Sequence, residues 1–166
     1  NAAPAAYGGF TVAKPHAEPI RTEVAPELRF VLLVPDFEIS TPAARAVLPD
    51  QLDRLLAVES CVNACHITAA FMQQRYDLLR GQFTDHFHQP HRTSLIPFLP
   101  RVIAAGEAAG AVGGFLSGSG STICCLTLEN AGAVAAAMRE AAGKGDAYTL
   151  ITTADNDGAQ PLHGQK

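Results

Sequence analysis

Apolar residues along the chain follow two rhythms. Short runs of apolar and β-branched residues, at Phe10–Ala13, Leu28–Val34, Ala111–Leu116, Thr122–Leu128 and Ala147–Thr152, predict strands. The run at 28–34 (Leu-Arg-Phe-Val-Leu-Leu-Val) is too apolar for a strand with a solvated face. Helical spacing takes over elsewhere. Leu55, Val58, Val62, Cys65, Ala69 and Met72 mark one stripe and predict a long amphipathic helix over Asp53–Met72. Leu99–Gly110 reads as a helix ending on glycine, and Ala131–Ala142 as an alanine-rich helix closed by Gly143-Lys144-Gly145.

Punctuation refines this. Ser40-Thr41-Pro42 is a helix start, a hydroxyl cap with proline in the first turn, and the short helix from Ala43 to Leu48 stops at Pro49. Asp77–Phe83 predicts another short helix, with Pro90 breaking the chain after it. Lys14–Pro26, carrying three prolines, reads as an exposed connection or irregular edge, and the piece Ala6–Val12 before it as strand-like. The polar tail from Asp155 to Lys166 is expected to fray. The element order implies an α+β fold, an antiparallel sheet with helices packed on one face.

Composition narrows the classes. The 166 residues, 48% hydrophobic and 17% charged, suit one domain or a large part of a two-domain protein. A net charge of −4 argues against nucleic acid as a partner. No apolar run approaches the ~18–20 residues that span a bilayer, so no membrane association is expected. The four cysteines do not form a disulfide framework: Cys61 and Cys65 share a helical face, Cys124 and Cys125 point oppositely from one strand, and buried thiols are the expectation for all. The chain opens at Asn1 without methionine, in the manner of a segment of a longer polypeptide.

Three clusters carry candidate chemistry. Gly113-Gly114-Phe115-Leu116-Ser117-Gly118-Ser119-Gly120-Ser121-Thr122 joins two strands, and its glycines allow a phosphate or another backbone to approach closely, as would a plain Gly-rich hairpin. His86, His88 and His91 crowd one stretch, but their spacing does not make them converge as zinc ligands, so no metal site is assigned. Asp155-x-Asp157-Gly158 reads as a turn, since the remaining ligands of a calcium loop are missing.

Four motifs in order carry a resemblance: Val34-Pro35-Asp36-Phe37, Ser40-Thr41-Pro42-Ala43-Ala44-Arg45-Ala46-Val47-Leu48-Pro49, His88-Gln89-Pro90-His91-Arg92, and Phe115-Leu116-Ser117-Gly118-Ser119-Gly120-Ser121-Thr122. Together they resemble the homoserine kinase family, within the small-molecule kinase superfamily of galactokinase, homoserine kinase, mevalonate kinase and phosphomevalonate kinase. Asn1-Ala2-Ala3-Pro4-Ala5 with Gly8-Gly9 looks like the end of that family's substrate-side motif. Serine at Ser121, where the family usually has proline, is a departure also met in sister kinases.

The resemblance implies the C-terminal portion of a cytoplasmic, homodimeric two-domain kinase of threonine biosynthesis. In that reading 1–26 is the tail end of the N-terminal domain, with a strand segment, 27–159 a ferredoxin-like C-terminal domain, and 160–166 a flexible tail. The reaction is transfer of the ATP γ-phosphoryl to the L-homoserine hydroxyl. The family's Pro-x-x-x-Gly-Leu-Gly-Ser-Ser-Ala phosphate loop is absent from these residues. ATP and Mg2+ are therefore expected mainly on an N-terminal half, its partner, and the segment alone is expected to be inactive. Asn1 is implied to bond the substrate's polar head, and Arg45 and Arg92 its carboxylate through bidentate forks. Gly118, Ser119 and Gly120 are implied to support the phosphate loop. No residue stands out as a general base. The alternative is a non-catalytic α+β module that binds an amino acid or a protein.

Overall fold

A computed structural model describes residues 2–143 and 145–161. After helix α1 (Ala2–Tyr7), strands β1 (Phe10–Val12) and β2 (Ile20–Thr22) form a hairpin, with Thr11 opposite Arg21. Two differences from the sequence reading arise here. Ala6 and Tyr7 are helical, because the alanines before them favour helix until Gly8 and Gly9, both at positive φ, turn the chain. β2 lies within the proline-rich connection, at the Ile-Arg-Thr between Pro19 and Pro26.

The second sheet is the heart of the domain. Strands β3 (Arg29–Val34), β4 (Gly113–Leu116), β5 (Ile123–Thr127) and β6 (Tyr148–Thr152) lie in the order β4-β5-β3-β6, every neighbour antiparallel. Between β3 and β4 come helices α2 (Thr41–Ala46), α3 (Arg54–Met72), α4 (Gln89–Arg92) and α5 (Leu99–Ala108), and a 3₁₀ turn at Tyr76–Leu79. α6 (Ala131–Ala142) joins β5 to β6. The expected antiparallel α+β architecture is present, with the strand order of a ferredoxin-like sheet.

Alternation along β3 and β5 sends side chains to two cores. Val31, Leu33, Ile123 and Cys125 face α5 and α6, packing on Val102, Val134 and Met138. Each such fully buried aliphatic side chain contributes ~1.5–3 kcal/mol. The opposite face is aromatic: Phe30, Phe115, Cys124 and Leu126 meet Phe10, Phe71 and Phe83. Phe10 stacks on Phe71 at 4.3 Å and Phe83 on Phe115 at 5.4 Å between ring centres. A mainly apolar cavity of about 630 Å³ opens on this face between Phe30, Leu32, Phe71, Phe83, Phe115 and Leu126.

α3 inverts its predicted packing. Asp53 caps it, its carboxylate accepting from Leu55 N at 2.8 Å. Yet Leu55, Val58, Val62, Cys65, Ala69 and Met72, the stripe expected to face the core, are all exposed, with Leu55 at 69% and Val62 at 59%. The domain holds the other side instead, through Ser60, Ala70 and Phe71. α3 is also the one helix among the described residues long and apolar enough, by length and composition alone, to cross a membrane (19 residues, mean hydropathy 1.4). The sequence shows no uninterrupted apolar run here, because polar residues such as Ser60 and Asn63 break it up. Both are tied to the following loop: Ser60 Oγ accepts from His86 N at 3.0 Å, and Asn63 Nδ2 donates to Thr84 O at 3.0 Å.

The chain ends fasten to each other. Asn156 grips Val24 twice, accepting from its N and donating to its O, each at 2.9 Å. Gly9 N donates to Asp155 O and Ala159 N to Ala5 O. The tail is therefore held through Ala159, and the expected fraying does not begin at Asp155. Asp155 Oδ1 accepts from Asp157 N and Gly158 N, the predicted turn. Residues 162–166 lie outside the described ones.

Candidate functional site: a cleft beside Arg92

α4 exists because Asp85 starts it. Its carboxylate accepts from the backbone N–H groups of Phe87 (2.8 Å), His88 (2.9 Å) and Gln89 (2.7 Å). Pro90 then sits in the first turn, where it lacks no needed donor, so it opens this helix and does not break the chain as expected. The last residue of the turn is Arg92, only 8% exposed.

The Arg92 guanidinium is divided between fold and cleft. Nε donates to Ala44 O at 3.2 Å, on α2, and Nη1 to Gly118 O at 2.9 Å, in the Gly-Ser loop. Nη2 bonds no protein group among the described residues. Arg92 also lines a cleft of about 340 Å³, together with Ser60, Asn63, Asp85, Gln89 and Gly118. A guanidinium has five N–H donors, so the pair on Nη2 is available to an oxyanion.

The Gly-Ser loop is a tight turn. Ser117 N donates to Thr122 O at 2.9 Å and Gly120 N to Ser117 O at 3.1 Å. Gly118 and Gly120 have φ of +60° and +94°. A Cβ on Gly120 would lie 2.8 Å from Ile96 Cδ1, whereas one on Gly118 would meet open space. Ser119, between them, is half-buried. Ser121 Oγ donates to Phe37 O, tying the loop to the segment after β3.

The other named residues sit apart. Arg45 is exposed on α2, whose start is capped by Ser40 as expected, and does not line the cleft; its neighbour Ala44 supplies the carbonyl that Arg92 holds. Asn1 lies outside the described residues. His86 Nε2 donates to Glu59 at 3.0 Å and His91 Nε2 to His86 O at 3.2 Å. No three His, Cys, Asp or Glu side chains among the described residues converge as metal ligands.

Gln89 is the residue sequence reasoning passed over. Its Oε1 accepts from Leu116 N at 2.7 Å and its Nε2 donates to Phe83 O at 3.2 Å, closing the outer edge of β4. Its place inside His88-Gln89-Pro90-His91-Arg92 was the available signal. The cysteines divide. Cys124 and Cys125 are buried on opposite faces of β5 as predicted, but Cys61 and Cys65 are exposed. Burial raises both inner thiols, Cys125 to about 12 with Glu107's charge adding to the effect.

Residues 67–144 match the family described as GHMP kinases C terminal. A homoserine kinase from Aquifex aeolicus is 36% identical over 96% of this chain and 56% of its own length. One from Deinococcus radiodurans is 41% identical over 76% of this chain and 42% of its own. The crystal structure of homoserine kinase from Cytophaga hutchinsonii superposes with a TM-score of 0.88 at 29% identity, covering 95% of this chain and 52% of that one. The chain spans about half the length of the relatives it matches. This protein carries a GHMP kinase C-terminal domain, and the chain is homologous to the homoserine kinases.

Proposed function

We propose that these residues are the C-terminal part of a homoserine kinase, which moves the ATP γ-phosphoryl onto the L-homoserine hydroxyl in threonine biosynthesis. The observation that carries the reading is Arg92: buried, fixed on two sides by carbonyls, with Nη2 left without a protein partner among the described residues, and lining a cleft. Fixing the fork beforehand spares the entropy of ordering it when an α-carboxylate arrives. Arg45, exposed on α2 beside the Ala44 that Arg92 holds, adds a second positive charge from outside the cleft, and Asn1 a hydrogen bond to the substrate's polar head. Gly118, Ser119 and Gly120 shape the phosphate loop from below.

In this reading 1–26 finish an N-terminal kinase domain and 27–159 form the C-terminal one. ATP and Mg2+ are held mainly by the N-terminal half. Phosphoryl transfer is a matter of positioning and charge neutralisation, so a half-site performs none of it alone. The exposed stripe of α3 supports a missing partner domain, since exposed apolar patches mark interaction sites. The whole enzyme is cytoplasmic and homodimeric in this account, and binds neither nucleic acid nor membrane.

The test is the KM for homoserine of Arg92→Ala and Arg92→Lys in the complete kinase. Arg92→Ala should raise KM by the ~2–4 kcal/mol of a charge-assisted clamp, and lysine should restore only part. An unchanged KM removes Arg92 from the site.

A further inference from the structure

α4 is a single turn, Gln89–Arg92, too short to hold its own place, so side chains must fix where it sits. Asp85 starts the turn but belongs to the same loop, and His91 Nε2 reaches only His86 O of that loop. Pro90 is exposed. Among the described residues, two side chains of α4 bond another part of the fold: Gln89 and Arg92. They stand three positions apart and so share one side of the turn. Their targets are neighbours too. Gln89 Oε1 accepts from Leu116 N at 2.7 Å, and Arg92 Nη1 donates to Gly118 O, two residues on, at 2.9 Å.

We propose that Gln89 is a positioning residue for substrate binding: by pinning α4 to β4 at Leu116, it sets the place of the Arg92 guanidinium. What Arg92 binds, a substrate carboxylate, rests on the kinase reading above. Arg92 has to satisfy Ala44 O, Gly118 O and an incoming carboxylate with one rigid fork. It meets all three only if its backbone end stays in one place. Without the bond to Leu116, α4 slides along the edge of β4 and the fork loses one of its partners.

The two bonds of the Gln89 amide separate chemically. Oε1 takes the strand N–H, while Nε2 donates to Phe83 O at 3.2 Å, within the segment that leads into α4. Only the first ties the turn to the sheet. Gln89→Glu keeps an acceptor for Leu116 N and gives up the donor to Phe83 O. Gln89→Met, of similar length, gives up both and leaves the N–H of a buried strand residue without its partner. The positioning role therefore predicts that glutamate substitutes well and methionine does not.

Hydrogen exchange at arginine Nε, followed by nitrogen-15 NMR on the 166-residue chain, reads Arg92 directly. Arg101 is the internal reference: its Nε donates to Ala141 O at 2.7 Å, and it does not line the cleft. In Gln89→Met, exchange at Arg92 Nε should speed up about tenfold while Arg101 keeps its rate; in Gln89→Glu both should keep theirs. Should Gln89→Met fail to fold, Gln89→Asn, one methylene short of Leu116 N, takes its place. In the longer kinase, Gln89→Met should raise the homoserine KM about three- to tenfold with a smaller change in kcat, and Gln89→Glu should restore most of it. In an Arg92→Lys background Gln89→Met should add less than it does alone. Unchanged Arg92 exchange in Gln89→Met, a Gln89→Glu as impaired as Gln89→Met, or KM effects that add in full to Arg92→Lys overturns the proposal. The exchange measurement involves no substrate, so its failure is distinct from that of the kinase reading, which an unchanged KM in Arg92→Ala would remove.

Discussion

Arg92 reaches from the end of α4 to the carbonyl of Gly118, 2.9 Å away and 26 positions on in the chain. That bond and its companion to Ala44 make one side chain the junction of α2, α4 and the Gly-Ser loop. Removing it should therefore cost stability as well as binding. Arg92→Ala is expected to lower unfolding free energy by about 1–3 kcal/mol, since two carbonyls lose a charged donor. Urea denaturation of the isolated chain measures this without any substrate.

The two loop glycines should respond unequally to alanine. Both have positive φ, which costs a Cβ-bearing residue about 1–2 kcal/mol. Only at Gly120 does the added carbon also press on Ile96 and Leu116. Gly120→Ala should therefore destabilise by clearly more than Gly118→Ala, and equal melting shifts would contradict the geometry.

Asp85 accepts three backbone N–H groups, where its segment first read as a possible metal cluster. Asp85→Ala should lose the start of α4 at a cost of ~0.5–2 kcal/mol. Added zinc should leave the melting curve of either protein unchanged.

The thiols give a chemical readout. Cys61 and Cys65 are exposed and should react at once with an aromatic disulfide reagent, while Cys124 and Cys125 should react only on unfolding. Burial raises the folded pKa of Cys125 to about 12 from an unfolded value near 9.0. Between those values the unfolded thiol releases its proton and the folded one keeps it, so unfolding is favoured as pH climbs. The Cys125 contribution to stability is thus present below pH 9.0 and declines above it. Cys125→Ala should flatten that alkaline slope.

Much of the fold was legible because local chemistry and packing agree. Ser40 caps the helix that its side chain predicted, α6 ends at Gly143, and the apolar run of β3 forms a strand with a fully buried side and a half-buried one. α3 was misread because periodicity reveals an apolar stripe without saying what covers it. Leu55, Val58 and Val62 form the stripe, yet face away from this domain. Pro90 was misread because proline serves equally to stop a helix and to open one, and Asp85 decides between them through space. In the site, Arg92 could be named from its motif. Its bonds to Ala44 and Gly118 join positions 48 and 26 residues away, which no local pattern encodes.

The most direct test is ATP-dependent phosphorylation of L-homoserine by these 166 residues alone and by the longer kinase that contains them. No transfer by the segment and robust transfer by the longer protein is the predicted result. Phosphotransfer by the segment alone, or none by the longer protein, would contradict the account.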